Sequence, residues 1–530
     1  MKIPFSPNKP AITIGLQGEQ QDAFVPSYTT LDKIQGEATI IAPYDTSFDQ
    51  IYITLEGSAK TFVDKISTTS PTNNRTGAFH VFLRLAQPLD MEIFSESRVI
   101  KAGRTYRFPF TFVVPRKLLP QSCKHTHGSG DVQNVHLHLP PSLGDPMIAS
   151  QNKTLLDDMS PEMAVVSYAI KVRITRGQGT TGKPIIAAEQ SKKLRIVPAV
   201  DEEPPLVMYG GTNGGYRLRK EKELTKGFFK GKLGTLTVES AQPKSLRLPA
   251  PNSSSTCPIT TMATVNVRFD PFEEDAKTPR LSTLTTKLKV ATFYSSVPMS
   301  ELPSNMTALD YSSTRGVYVE TIPLSSRCVA SAQWKRHAPP TSHAPIGEDS
   351  ASSTLCTPAI AAPSASRGAK CFYTAQILVP ITLPRSSKVF VPTFHSCLVS
   401  RLYTLDLQLA IHSPSPTVTH PTVHLKLPIQ ISSEGNPDPS PSISAEEGEA
   451  FSAGSFALPS PQYSEISRSS SPSLPSPEYS ELDQLDQIRL PNSGVRGQTQ
   501  SRASSEDRTS SWHSELPPSY TGMLYGIAAG

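Results

Sequence analysis

No run of about 18 apolar residues occurs anywhere in the chain, which excludes a membrane-spanning helix. Met1 is followed by Lys2, Pro4, Lys9 and Pro10 with no continuous apolar stretch, so no secretory signal is expected. Position 2 is not the Gly that myristoylation requires, and no prenylation box closes the sequence. The six cysteines (Cys123, Cys257, Cys328, Cys356, Cys371 and Cys397) include no CxxC pair. They are too sparse for a disulfide scaffold and wrongly spaced for a zinc ribbon, so a reducing, cytoplasmic setting is expected. The sequons at Asn74, Asn152, Asn252 and Asn305 carry no meaning without secretion. GxSxG and HExxH are both missing, and no Ser/His/Asp grouping is recognisable from the order. Neither catalysis nor a cofactor is expected.

What the chain does have is proline, 50 of 530 residues, and a charge asymmetry. From Glu434 to Gly530 there are 13 acidic and 5 basic residues, whereas the preceding 433 residues carry 33 acidic and 46 basic. A basic body with an acidic tail is suited to an anionic surface.

Period-two alternation runs through the body. Ile34, Gly36, Ala38 and Ile40 form one set, and Ile51, Ile53 and Leu55 another. Phe79, Val81, Leu83 and Leu85 follow, then Tyr106, Phe108, Phe110, Phe112 and Val114, then Tyr168, Ile170, Val172 and Ile174. Beyond Glu202-Glu203-Pro204-Pro205 the pattern resumes through Ala263–Phe269, Leu288–Tyr294, Tyr403–Ile411 and Val423–Ile431. One face inward and one in water is the signature of half-buried antiparallel strands. Many short strands between Pro/Ser/Thr loops predict an all-β fold, and the length calls for two β-sandwiches. The expected organisation is one sandwich over residues 1–200, a second over 206–433 with a disordered insertion near 335–370, and a disordered tail over 434–530. Serine supplies 22 of the 97 tail residues, too little apolar area to offset chain entropy.

Two glycine-rich segments imitate phosphate loops. Gly177–Lys183 matches GxxxxGK, but Pro184 replaces the Ser/Thr that would hold magnesium, and the flanks read as strands. Gly210–Gly215 likewise reads as a turn. Cys123, His125, His127, His136 and His138 suggest zinc, which needs four convergent ligands. His136 and His138 read as two residues on one face of a strand, the Cys-x-His spacing is no known finger pattern, and no metal is expected.

Five stretches in order resemble the arrestin family, and specifically the fungal α-arrestins, or arrestin-related trafficking adaptors. They are Phe48–Gly57 (FDQIYITLEG), Gly103–Pro115 (GRTYRFPFTFVVP), Leu137–Asp145 (LHLPPSLGD), Lys287–Tyr294 (KLKVATFY) and Ser400–Leu405 (SRLYTL). The resemblance spans roughly residues 10–433 and implies two arrestin-like, immunoglobulin-like sandwiches. The Pro/Ser loops after Ala241 and within 335–370 depart from it. No position matches a receptor-phosphate sensor.

The tail holds Leu516-Pro517-Pro518-Ser519-Tyr520, an LPPxY sequence. Consecutive prolines pre-order a polyproline II helix for the aromatic groove of a WW domain, and the Tyr ring fills a second apolar pocket. Leu458–Glu465 and Leu474–Glu481 repeat at a 16-residue offset and keep P-x-Y, with Pro461, Tyr463, Pro477 and Tyr479 as candidate secondary contacts. Several weak sites facing several WW domains would gain avidity. The 89 residues between Ile431 and Tyr520 would reach about 50 Å as a coil. No lysine follows Lys426, which directs ubiquitin to a cargo or to the folded body. Serine clusters at 469–471 and 504–505 are candidate phosphosites whose charge could draw the tail onto the basic body.

Arg217, Arg219, Lys220, Lys222 and Lys226, with Lys230 and Lys232, form the strongest basic cluster, a candidate contact for an anionic membrane surface. Too few aromatics are interleaved for nucleic acid. The resemblance implies an adaptor that recruits a WW-domain HECT-class ubiquitin ligase to the cytosolic tails of membrane transporters or receptors for ubiquitination and endocytosis. It would act at the plasma membrane or endosomes. The alternatives are an ambient-pH signalling arrestin working with endosomal sorting machinery and a retromer-type sorting-coat subunit.

Overall fold

A computed structural model describes residues 9–436, apart from 19–24, 66–73, 92–93, 95–97, 146–155, 179–183, 207–211, 214, 227–230, 254, 304–313, 338–370, 386 and 413–420. The candidate tail residues Pro461, Tyr463, Pro477, Tyr479, Pro517, Pro518 and Tyr520 lie outside the described residues, as does most of the predicted insertion.

The fold is all-β, with two pairs of facing sheets. In the first pair, a three-stranded antiparallel sheet runs in the order Ala11–Leu16, Lys33–Ile41, Thr105–Val113. It faces a five-stranded sheet ordered Ser27–Tyr28, Pro184–Ile196, Ala164–Gln178, Gln50–Lys65, Asn74–Ala86. In the second pair, a seven-stranded sheet is built around Leu281–Ser295, Val399–Ile411 and Thr422–Ile429. Its partner is a five-stranded sheet ordered Arg219–Thr225, Lys232–Ser240, Thr260–Pro271, Phe372–Thr382, Lys335–His337. Ladder pairing among the described residues stays within 11–196 or within 212–433, and only the isolated bridges Asp157–Lys388 and Val200–Ser433 cross.

The alternating residues are what fill the cores. Along Thr105–Val113 every second side chain is buried, from Tyr106 to Phe112. Tyr168, Ile170, Val172 and Ile174 are likewise buried on the opposing sheet. Each such aliphatic or aromatic side chain contributes about 1.5–3 kcal/mol relative to exposure. Both phosphate-loop imitations overlap paired strands. Ala164–Gln178 and Pro184–Ile196 are antiparallel partners, and Thr212–Asn213 pairs back onto Tyr216–Arg217.

Two expectations need correcting. The set Phe79, Val81, Leu83 and Leu85 does not share one inward face: Phe79 is 44 % exposed, while Phe82 and Leu83 are both buried. Gly57 pairs with Leu83 but Ser58 with Val81, so Phe82 is the extra residue of a bulge and the inward phase changes partway along Asn74–Ala86. The VHLHL segment is not a strand. It is the end of a short helix, Gly130–His136, capped by Leu137, so His136 and His138 part company: His136 is buried and His138 exposed.

Each sandwich core reaches into the other. Tyr294, Val391, Phe394, Cys397, Leu398 and Val399 pack with the core of the first, and Met159 packs with the core of the second. Residues 434–436, the first of the predicted tail, are held to the body. Glu434 donates its N–H to the Leu248 carbonyl at 2.9 Å and pairs with Arg247, and Asn436 donates to the Asp32 carboxylate at 2.8 Å.

Candidate functional site

Two constellations lie on the seam between the sandwiches. The first centres on Arg401, which is fully buried. Its guanidinium donates to the Asp158 carbonyl at 3.0 Å and to the Met159 carbonyl at 3.2 Å. Met159 adopts φ 58°, a left-handed backbone that is strained for a residue with a side chain and persists only where its surroundings fix it. The Asp158 carboxylate accepts the N–H groups of Gly144 at 2.6 Å and Ser160 at 3.1 Å. Burial nonetheless raises its pKa from the ordinary value, against those hydrogen bonds and the Arg401 charge. Gly144 is a true glycine position, with φ +79° and the Ala164 carbonyl 2.2 Å from where a Cβ would stand. Beside this, Lys388 pairs with Asp157 at 2.5 Å and with Glu320 at 2.6 Å. The segment Asp157–Ser160 is thus a plug from the first sandwich, held by the second.

The second constellation is built from Cys123, His125, His127 and His136, whose ligand atoms all lie within 4.8 Å of one another. The Cys123 sulfur stands 3.2 Å from His125 Nε2, 3.1 Å from His127 Nε2 and 3.8 Å from His136 Nδ1. Cys123 follows a single 3-10 turn, Pro120–Ser122, that swings it inward, and the helix Gly130–His136 returns the chain so that His136 faces it. Cys397, from the second sandwich, directs its thiol at Cys123 Sγ over 3.5 Å. Burial raises the pKa of both thiols. It lowers His136 to about 4, with the charges of His125, His395 and His127 adding to the effect, so this imidazole stays neutral at ordinary pH. Burial and then His125 lower His127 as well.

The structure therefore brings together four of the five residues weighed for zinc, where dispersed loop and strand histidines were expected. The strand assumption hid this, because it placed His136 beside His138 instead of beside Cys123. His138 takes no part. It lines a cavity of about 110 Å³ on the seam together with His395, Glu203 and Tyr403. Sequence reasoning missed Arg401, Asp158 and Cys397 altogether. Arg401 had a faint signal, a lone arginine near the start of an alternating strand.

The basic cluster is largely internally compensated. Arg219 pairs with Glu221 at 3.0 Å and with Glu239 at 3.3 Å, Lys226 with Glu273, and Lys232 with Glu223 at 2.8 Å. Lys222 donates to the Thr422 carbonyl at 3.1 Å, Lys220 is exposed, and Arg217 lies half-buried one strand in from the edge of the seven-stranded sheet. Lys230 lies outside the described residues.

These features define the class first: a double β-sandwich protein whose two halves interlock through buried polar groups. No family model matches the chain. Over 219 residues, 34 % of this chain and 22 % of the relative, it is 26 % identical to the ubiquitin ligase-binding protein BUL1 of Saccharomyces cerevisiae. Over 230 residues, 35 % of this chain and 46 % of the relative, it is 24 % identical to bypass of stop codon protein 5 of the same yeast. The matched part thus spans about a fifth of the first relative and under half of the second. Both similarities accord with the resemblance to the arrestin-related trafficking adaptors.

Proposed function

We propose that this protein is a non-enzymatic adaptor that binds a ubiquitin ligase. The interlocked sandwiches would engage the cytosolic tail of a membrane transporter or receptor, and the C-terminal segment would recruit a HECT-class ligase through its WW domains. The observation that carries the reading is Leu516–Tyr520, a PPxY sequence joined to a double sandwich that is similar to a protein named for binding a ubiquitin ligase. Pro517 and Pro518 would occupy the aromatic groove and Tyr520 the second pocket. Cargo turnover by endocytosis follows as the output. Beside the paired Arg219 and Lys226, Lys220 is exposed and would face an anionic leaflet.

The test is a pull-down of the full-length chain on immobilised WW domains of a HECT ligase. Tyr520→Ala should lower capture at least about tenfold while the thermal unfolding midpoint stays within a degree or so of the parent. Capture that survives Tyr520→Ala together with Tyr463→Ala and Tyr479→Ala would remove the tail as the recruiting element.

A further inference from the structure

We propose that Cys123, His125, His127 and His136 form a zinc site that fastens a loop of the first sandwich onto the second. Zinc bound by thiolate at about 2.3 Å and imidazole at about 2.0–2.1 Å places tetrahedral sulfur and nitrogen ligands about 3.5 Å apart. The three nitrogens around Cys123 Sγ stand at 3.1, 3.2 and 3.8 Å, bracketing that spacing. The widest of the pairwise separations stays within 4.8 Å, and rotation of the partly exposed His125 and His127 rings closes the difference.

The hydrogen bonding around the rings points the same way. His125 Nδ1 lies 3.0 Å from the Thr126 carbonyl, which can only accept, so Nδ1 carries the proton and Nε2 presents a lone pair to the cluster. A ligating imidazole is held in this way, with its far nitrogen donating to a carbonyl. His136 turns Nδ1 to the cluster, 3.8 Å from the Cys123 sulfur, and its far nitrogen, Nε2, is buried with no hydrogen-bond partner among the described residues, so the outer hydrogen bond is seen at His125 and not at His136. One thiol proton can satisfy only one nitrogen, whereas a cation satisfies the sulfur and all three imidazoles together.

Mixed thiolate and imidazole ligands in a four-coordinate set suit zinc and offer nothing to magnesium or calcium, which take oxygen ligands. Four protein ligands leave no open position, so the site is structural. Cys397 donates its thiol hydrogen to Cys123 Sγ from the second sandwich, the place of an outer-shell partner. The same loop is tied across the seam by the Gly128 N–H, which donates to the Ser300 carbonyl at 2.8 Å. Next to it the Met299 N–H donates to the Cys397 carbonyl at 2.8 Å. Fixing residues 123–136 therefore fixes where the first sandwich meets residues 295–300 and 395–398.

The test uses the full-length chain purified without metal-chelate resin. Elemental analysis should find one zinc per chain. After stripping with a chelator, cobalt(II) should restore one equivalent and give the visible bands of a tetrahedral site with a thiolate-to-cobalt charge-transfer band. His125→Ala with His127→Ala, at partly exposed positions that should not compromise folding, should weaken cobalt and zinc affinity at least about tenfold, and Cys123→Ser should remove the charge-transfer band. Hydrogen exchange at 123–138 and 295–300 should speed up in the stripped protein and recover with zinc. Sub-stoichiometric zinc that the His variants do not change would overturn the site, as would a Cys123–Cys397 disulfide in the metal-free protein as isolated. Stoichiometric zinc with unchanged exchange at 295–300 would overturn the fastening role.

Discussion

The two constellations on the seam join the same pair of sandwiches by opposite means. At Arg401, a permanently charged guanidinium from one sandwich meets two backbone carbonyls from the other, so a donor faces fixed acceptors. At Cys123, groups that each offer a lone pair converge on one point, and the Cys397 thiol reaches them from across the seam. The first satisfies both terminal nitrogens of the guanidinium with protein carbonyls and leaves only Arg401 Nε buried without a partner. The second gathers one sulfur and three imidazole nitrogens, more lone pairs than the thiol protons there can satisfy. Buried polar groups must be satisfied, and the chain uses hydrogen bonds at one end of the seam and metal coordination at the other.

That contrast can be broken at either end. Arg401→Ala should have the largest effect, about 3–5 kcal/mol less stability in urea unfolding, because it strands the carbonyls of Asp158 and Met159 in the interior and leaves a cavity. Arg401→Met, which fills the volume without the donors, should recover only part of that loss. At the other end, zinc at a hundredfold excess over its dissociation constant should stabilise the parent by about 2.7 kcal/mol. Thermal scans with and without chelator should show this increment in the parent and in Arg401→Met, but not in the His125/His127 double variant.

Gly144→Ala tests the backbone that supports the plug. A Cβ there would meet the Ala164 carbonyl at 2.2 Å in a left-handed conformation, so about 1–3 kcal/mol should be lost with the zinc response intact. The smallest effect belongs to Asp157. Burial pushes its pKa up, but the Lys388 hydrogen bond, the Met159 N–H and the Lys388 charge together hold it below the ordinary value of 3.8. A carboxyl depressed by folding stabilises above its unfolded pKa, and that contribution is lost as pH falls through the folded one. Asp157→Asn should therefore flatten the stability profile below about pH 4 and cost under about 1 kcal/mol at neutral pH, since the pair is partly exposed and screened.

The strands were legible because burial repeats with the period of the chain itself: Tyr106 to Phe112 alternate in sequence and are alternately buried in space. The reading failed where the period is interrupted. The bulge opposite Gly57 re-phased Asn74–Ala86, and a seven-residue helix replaced a strand at Gly130–His136 because VHLHL is compatible with both.

Local composition alone determined the all-β character, the positions of most core strands and the proline–tyrosine sequence near the C-terminus. Only the tertiary structure decided that Cys123 meets Cys397 across 274 positions, that Arg401 meets Asp158 across 243, and that His136 turns inward while His138 turns out. Periodicity reports which face of a strand avoids water, a property of neighbours in the chain. Ligand sets and buried donors depend on distances between segments remote in sequence, which are fixed only when two sheets pack and the loops between them settle.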